Sequence, residues 1–175
     1  PKLTRSLGLT PKVGKQLFAA YHKAVPFAQP TMEWAIQEAQ NTGIVRTILN
    51  RASRFDLWVP TGWDNEGVAL PYELALQQYG NIERAFTHKA LNRKLQGSAA
   101  DLMKKAMLLC WEQGVFDVTG VPRLTVHDEL DFSDTGEPGT EEAFAYMQHV
   151  MEKAIPLRLP VKADMEVGPD WGHCA

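Results

Sequence analysis

The chain has 175 residues, of which 45% are hydrophobic and 22% charged, with a formal net charge of −3. These proportions exclude collagen-like, disordered and coiled-coil chains and fit one medium domain, or a domain with a lobe. No run approaches the roughly 18 apolar residues of a membrane helix, and no signal-peptide core is visible. The two cysteines, Cys110 and Cys174, lack metal-ligand spacing and cannot build a disulfide framework. The expectation is a protein of a reducing cytoplasm, with no membrane partner.

Thr10-Pro11 reads as a helix start: a hydroxyl to cap the first amides, then a proline with its φ preset. Val13, Leu17, Ala20, Tyr21 and Ala24 follow at helical spacing until Pro26. A second helix is predicted from Pro30-Thr31, with Met32, Ala35, Ile36 and Ala39 on one face and Gly43 as its stop. The period then turns extended. Residues 44–48 and 55–59 flank a polar turn at 50–53, which predicts a β-hairpin. Residues 61–70 read as a loop.

From Tyr72 the pattern is helical through Glu112, interrupted near Gly80. Leu91, Leu95, Ala99, Met103, Ala106 and Cys110 form a predicted buried face. Residues 123–132 alternate as two short strands around a tight turn. Gly139-Thr140 begins a helix with Glu141 and Glu142 in its first turn, where the helix dipole favours them. Phe144, Met147, Met151 and Ala154 make its apolar side, Pro156 and Pro160 break it, and residues 161–167 are predicted as a last strand. The fold class is α+β, helices packed on a small antiparallel sheet.

Charge is unevenly spread. Residues 1–60 carry eight Lys/Arg against three Asp/Glu, residues 82–105 six against two, and residues 128–175 three against eleven. A basic front and an acidic end suit a polyanion held on one surface and cations held elsewhere. Solvated faces cluster charge in the same way.

Three groups of residues suit chemistry. His127-Asp128-Glu129 places two adjacent carboxylates at a turn, an arrangement that favours a neutralising hard cation such as Mg²⁺, with His127 able to donate to a phosphate or sugar oxygen. Taken alone it reads as a polar hairpin turn. His88, Asn92 and Gln96 lie at i, i+4 and i+8 of a helical pattern, a polar stripe whose donors could reach the minor groove, where every base pair offers an acceptor. Lys89, Arg93, Lys94, Lys104 and Lys105 flank that stripe and suit phosphates. Taken alone it reads as a solvated helix face. Arg46, Arg51 and Arg54 sit on the first hairpin and could track a nucleic-acid backbone. The five tryptophans read as packing, Cys110 as structural, and His22, His149 and His173 show no ligand spacing. There is no glycine-rich phosphate loop, nucleophile elbow or zinc pattern.

In order, four segments resemble one family. Ala90-Leu-Asn92-Arg-Lys-Leu-Gln96-Gly-Ser-Ala-Ala-Asp101, then Leu124-Thr-Val-His127-Asp128-Glu129-Leu-Asp-Phe132, resembles the C-terminal part of family A DNA polymerases, the DNA polymerase I type. Gly43-Ile-Val-Arg-Thr47-Ile-Leu-Asn50-Arg51 resembles its G-x-V-x-T-x-x-G-R hairpin, and Val167-Gly-Pro-Asp-Trp171 its G-x-N-W close. His88, where bacterial members usually have arginine, resembles the phage branch.

The resemblance implies a magnesium-dependent two-metal enzyme. Asp128 would be the second metal aspartate, Glu129 its neighbouring carboxylate, and His127 would sit near the primer terminus. Gln96, Asn92 and His88 would contact the minor groove, with Arg93, Arg46, Arg51 and Arg54 on the DNA. The primer 3′-hydroxyl would attack the α-phosphorus of a dNTP in line. Residues 1–43 would be rear fingers helices, 44–70 a β-hairpin and loop, and 71–175 the palm portion.

Departures from the family pattern carry their own expectation. The first metal aspartate, in a D-Y-S-x-I-E-x-R-like motif, and the nucleotide-binding helix R-x-x-x-K-x-x-x-F-x-Y-G have no counterpart here. Asn50 stands for the usual glycine, Ala52 for a frequent arginine, and the terminal histidine of many relatives is missing. The chain alone is therefore expected not to synthesise DNA. It would act with a complementary polypeptide, as from a split gene, or as a fragment of a longer chain, with the apolar faces of residues 13–39 partly exposed. The other reading is a non-catalytic DNA-binding or scaffolding subunit of a replication complex.

Overall fold

The computed structural model describes residues 8–62 and 67–174. Part of the 61–70 loop, including Trp63, and the extreme ends of the chain lie outside the described residues.

Helix α1 spans Pro11–Ala24. Thr10 is its N-cap, its hydroxyl oxygen accepting from the Val13 amide at 3.4 Å, and Pro11 fills the first position, where an amide would have no partner anyway. Only Gly14 is buried along α1; Val13, Leu17, Phe18 and Tyr21 are all exposed. Helix α2 spans Ala28–Thr42, two residues earlier than predicted, because Phe27 is already helical and serves as N-cap without a side-chain bond. Gly43 ends α2 at φ 71°, and a β-carbon there would meet the Arg84 guanidinium carbon at 2.6 Å. Both the left-handed backbone and the close approach require glycine.

Strands β1 (Ile44–Arg46) and β2 (Ala52–Arg54) pair antiparallel, Val45 opposite Ser53. This corrects the predicted second arm at 55–59. Asn50 adopts φ 67° and its carbonyl accepts from Arg46 Nη1 at 2.9 Å, which closes the loop early. Phe55 then enters a small core with Ala35, Ala39, Val45 and Ala90. The residues beyond it form β3 (Leu57–Pro60), which pairs instead with β4 (Leu70–Pro71) and β5 (Ile82–Arg84) in the order β4-β3-β5. Helix α3, Tyr72–Tyr79, lies between β4 and β5 in the chain. The interruption near Gly80 thus holds a strand as well as a turn.

Arg84 ties this region together. Its Nε donates to the Gln40 carbonyl at 3.1 Å, its Nη1 to the Phe55 carbonyl at 2.9 Å, and its guanidinium lies 4.4 Å from the Trp58 ring centre. A 3₁₀ turn at Thr87–Lys89 leads into the long helix α4, Ala90–Glu112.

Contacts divide the chain into two compact units: residues 1–46 with 50–94, and residues 47–49 with 95–175. The second unit holds the later part of α4, helix α5 (Val115–Thr119), the hairpin β6 (Leu124–Val126) and β7 (Glu129–Asp131), and helix α6 (Thr140–Lys153). Its core joins Cys110, Val115, Met147 and Val150 to the half-buried Phe116, Phe132 and Phe144. The predicted buried face of α4 holds for Met103, Ala106 and Cys110 but not for Leu95 and Ala99, which are exposed. Asp101 takes the buried position instead.

Residues 161–167 form no strand among the described residues. A strand requires a ladder partner. The segment is instead held by side chains of α6. Gln148 donates to the Ala163 carbonyl, and the Ala163 amide donates to Glu152 at 3.3 Å.

Candidate functional site

The two carboxylates singled out in the sequence sit at the tip of β6–β7. Val126 pairs with Glu129, so His127 and Asp128 form a two-residue turn. His127 has φ 53°, while Asp128 is not among the positive-φ residues. A positive φ at the first central residue of a two-residue hairpin turn is a place that ordinarily belongs to glycine. A histidine tolerated there costs on the order of 1 kcal/mol, and such outliers cluster at functional sites. His127, Asp128 and Glu129 are all exposed, so two carboxylates and an imidazole lie at one hairpin tip. The Arg123 amide extends the ladder to the Asp131 carbonyl at 2.7 Å.

The donor chemistry suits a divalent hard cation, which takes one or two carboxylates and fills its remaining positions from water and phosphate. Among the described residues no three His, Cys, Asp or Glu side chains lie close enough to hold a metal together. Asp131, two residues beyond Glu129 and on the same face of β7 by alternation, has a buried Oδ2 without a hydrogen-bond partner among the described residues.

Asn92 and Gln96 lie one turn apart on α4, both exposed. His88 is also exposed but belongs to the preceding 3₁₀ turn, so the three do not form one α-helical stripe. Arg93 is half-buried. Its Nη1 donates to the Arg54 carbonyl at 2.8 Å and to Ser53 Oγ at 3.4 Å, and its guanidinium lies 4.3 Å from the Phe55 ring centre. Lys94, predicted beside it as a phosphate contact, pairs with Glu38 at 2.7 Å. Arg46, Arg51 and Arg54 are exposed on the β1–β2 hairpin, with Arg46 closing its loop.

Sequence reasoning missed the anchorage of that loop. The Thr47 hydroxyl donates to Asp101 Oδ2, both residues being buried, and the Ile48 amide donates to Ser98 Oγ at 3.0 Å. The Gly-Ser-Ala-Ala-Asp run of α4 was the available signal, since small residues in a helix admit a close backbone.

The fold is similar to the POL domain of Pol1 from M. smegmatis, solved as a complex with DNA primer-template and dNTP, with a TM-score of 0.65 at 23% identity over 91% of this chain and 25% of that one. The family model for DNA polymerase family A matches residues 1–173, and the chain belongs to that family. A DNA-directed DNA polymerase of Pseudomonas phage M6 is 34% identical over 91% of this chain and 20% of its own length. DNA polymerase I of Bacillus subtilis is 31% identical over 97% of this chain and 17% of its own. The thermostable DNA polymerase I of Thermus filiformis is 30% identical over 97% and 18%. The chain thus spans about a fifth of the curated relatives it matches.

Proposed function

We propose that this chain carries the second metal carboxylate and part of the DNA contact surface of a template-directed DNA polymerase, adding dNTPs to a primer 3′-hydroxyl. The observation that carries the reading is the His127–Asp128–Glu129 tip: a turn that departs from its best backbone residue in order to present an imidazole and two carboxylates. Asp128 and Glu129 would hold magnesium together with an aspartate outside residues 1–175, either on the same longer chain or on a complementary polypeptide. When bound, the magnesium pair lowers the pKa of the primer hydroxyl and stabilises charge on the transferring phosphoryl group.

The chain's own residues orient and exclude. His127 donates to the primer terminus, and Asn92, Gln96 and His88 donate to minor-groove acceptors, which are nearly independent of sequence. Arg46, Arg51 and Arg54 contact phosphates, and Arg93 supports that hairpin from behind. Residues 1–43 act as rear fingers, 44–70 as hairpin and loop, and 71–175 as palm. The exposed apolar side of α1 and the unpaired alternating segment 161–167 are surfaces that a complementary segment would cover.

Primer extension with Mg²⁺ by whatever co-purifies with the tagged chain from its host tests the reading. Extension that disappears when the tagged chain carries Asp128→Ala supports it. Extension unchanged by the substitution, or absent despite a stable partner and DNA binding, moves the assignment to a non-catalytic DNA-binding subunit.

A further inference from the structure

We infer that Phe132 is a positioning residue for the metal carboxylates: its ring, held between Phe116 of α5 and Phe144 of α6, fixes the pose in which the β6–β7 tip offers Asp128 and Glu129. The inference rests on the metal-binding part of the proposed function and adds a residue to it. Every residue involved belongs to the unit of residues 47–49 and 95–175.

The tip is carried on a long excursion from the core. Thr119 and Thr140 are buried, and none of residues 120–139 between them is. The strands bring nothing inside: Leu124, Thr125 and Glu129 are exposed, and Val126, Leu130 and Asp131 half-buried. Among the described residues of this stretch, Phe132 is the one packed against the core of Cys110, Val115, Met147 and Val150. Its ring centre lies 5.4 Å from that of Phe144 at 77°, an edge-to-face contact, and 6.0 Å from that of Phe116 at 45°. Aromatic pairs attract at both separations. A ring gripped by two helices is fixed in tilt as well as in place.

Phe132 follows β7 directly, so by alternation it falls on the side of Leu130 and Thr125, opposite Glu129 and Asp131. Seating that ring in the core therefore turns Glu129 outward. Asp128 is four residues from the anchor, which at about 3.3 Å per residue is a lever of roughly 13 Å. A pivot of about 5° at the anchor moves the carboxylates by about 1 Å, against the roughly 0.5 Å that a preorganised site tolerates. A hairpin that pivots spends only part of its time in the binding pose, and its apparent metal affinity falls by that fraction.

Residual dipolar couplings of the isotope-labelled 175-residue chain report the orientation of β6–β7 relative to α6. In wild type the hairpin should share the alignment of α6. Phe132→Leu keeps an apolar side chain and removes the ring, and is expected to reduce the hairpin couplings to about half while those of α6 hold. The Arg123 amide, whose bond to the Asp131 carbonyl reports the pairing, should keep its exchange protection within about threefold. The second readout is primer extension across a Mg²⁺ series by the complex that co-purifies with the tagged chain. Phe132→Leu should raise the Mg²⁺ midpoint about five- to tenfold and leave the saturated rate within about twofold, because the ion favours the pose it binds. A chain that is merely less folded loses rate at every Mg²⁺ concentration and keeps the midpoint. Phe144→Leu removes the same ring contact without touching the hairpin and should shift the midpoint alike; placed on Phe132→Leu it should add little. Should Phe132→Leu not fold, Phe144→Leu decides; should neither fold, the wild-type couplings decide, since a hairpin tumbling apart from α6 has no fixed pose. Couplings unchanged in a folded variant, or an unchanged midpoint with a lower saturated rate, overturn the anchor. Extension that is absent in wild type, or that survives Asp128→Ala, overturns the polymerase reading instead, and the couplings still judge the anchor.

Discussion

The turn at His127 offers a comparison in which backbone and side chain separate. His127→Ala and His127→Gly both remove the imidazole, so their difference reports only the backbone at φ 53°. A β-carbon in the left-handed region costs about 1–2 kcal/mol, which glycine escapes. Glycine's freer unfolded chain returns about 0.4–1 kcal/mol of that. The net expectation is that His127→Gly is more stable than His127→Ala by about 1 kcal/mol or a little less. For a chain of this size that is a difference in Tm of roughly 2–4 °C. Thermal unfolding of the two variants side by side, followed by urea titration at 25 °C, reads it directly. Equal stabilities, or alanine the more stable, would mean that the turn does not hold His127 left-handed, and the argument that it departs from glycine for the sake of function would fail. Primer-terminus contacts should drop equally in both variants, whichever is the more stable.

Other expectations follow from the cores and the C-terminal segment. Phe55 is 3% exposed among Ala35, Ala39, Val45 and Ala90, so Phe55→Ala should cost about 3–5 kcal/mol in urea unfolding. Cys110 is fully buried and burial pushes its thiol pKa up, so a native thiol titration should find Cys174 reactive and Cys110 silent until denaturant is added. The Ala163 amide, then the Lys162 side chain, hold the Glu152 carboxyl below the ordinary glutamate range. A depressed folded pKa gives stabilisation that is fully present above the unfolded value and is lost as pH falls through the folded one. The protection of the Ala163 amide, its exchange rate compared with the intrinsic rate at the same pH, should therefore be high near pH 6 and be lost as pH falls below the ordinary glutamate value of about 4.3. Glu152→Gln should weaken that pH dependence.

Local chemistry made much of the fold legible. Thr10-Pro11 and Gly43 mark helix ends because capping and left-handed backbone are properties of one or two residues. The His127-Asp128 turn was readable for the same reason, with alternating strands on either side. The second hairpin arm was not, because its position depends on Asn50 turning the loop early and on Phe55 finding a core that Ala35 and Ala39 leave room for. Residues 161–167 were predicted as a strand, but strand formation depends on a partner, and α6 side chains hold that segment instead.

At the candidate site, residues of the right type were found, but the sequence could not assign which of them were already engaged. Arg93 and Lys94 lie between Asn92 and Gln96 in α4, yet their charges are directed at the Arg54 carbonyl and at Glu38. Asp101 passed unremarked inside a motif because its partner Thr47 lies 54 positions away, and no periodicity reports such a pairing.

The central claim is that Asp128 acts on the chemical step. The most direct test is single-turnover nucleotide incorporation by the chain reconstituted with a polypeptide carrying the remaining polymerase segments, comparing wild type with Asp128→Ala. The rate should fall at least about a thousandfold, roughly 4 kcal/mol of transition-state stabilisation, while primer–template affinity stays within about threefold. A rate that survives the substitution would contradict the account, and so would a loss explained entirely by weaker DNA binding.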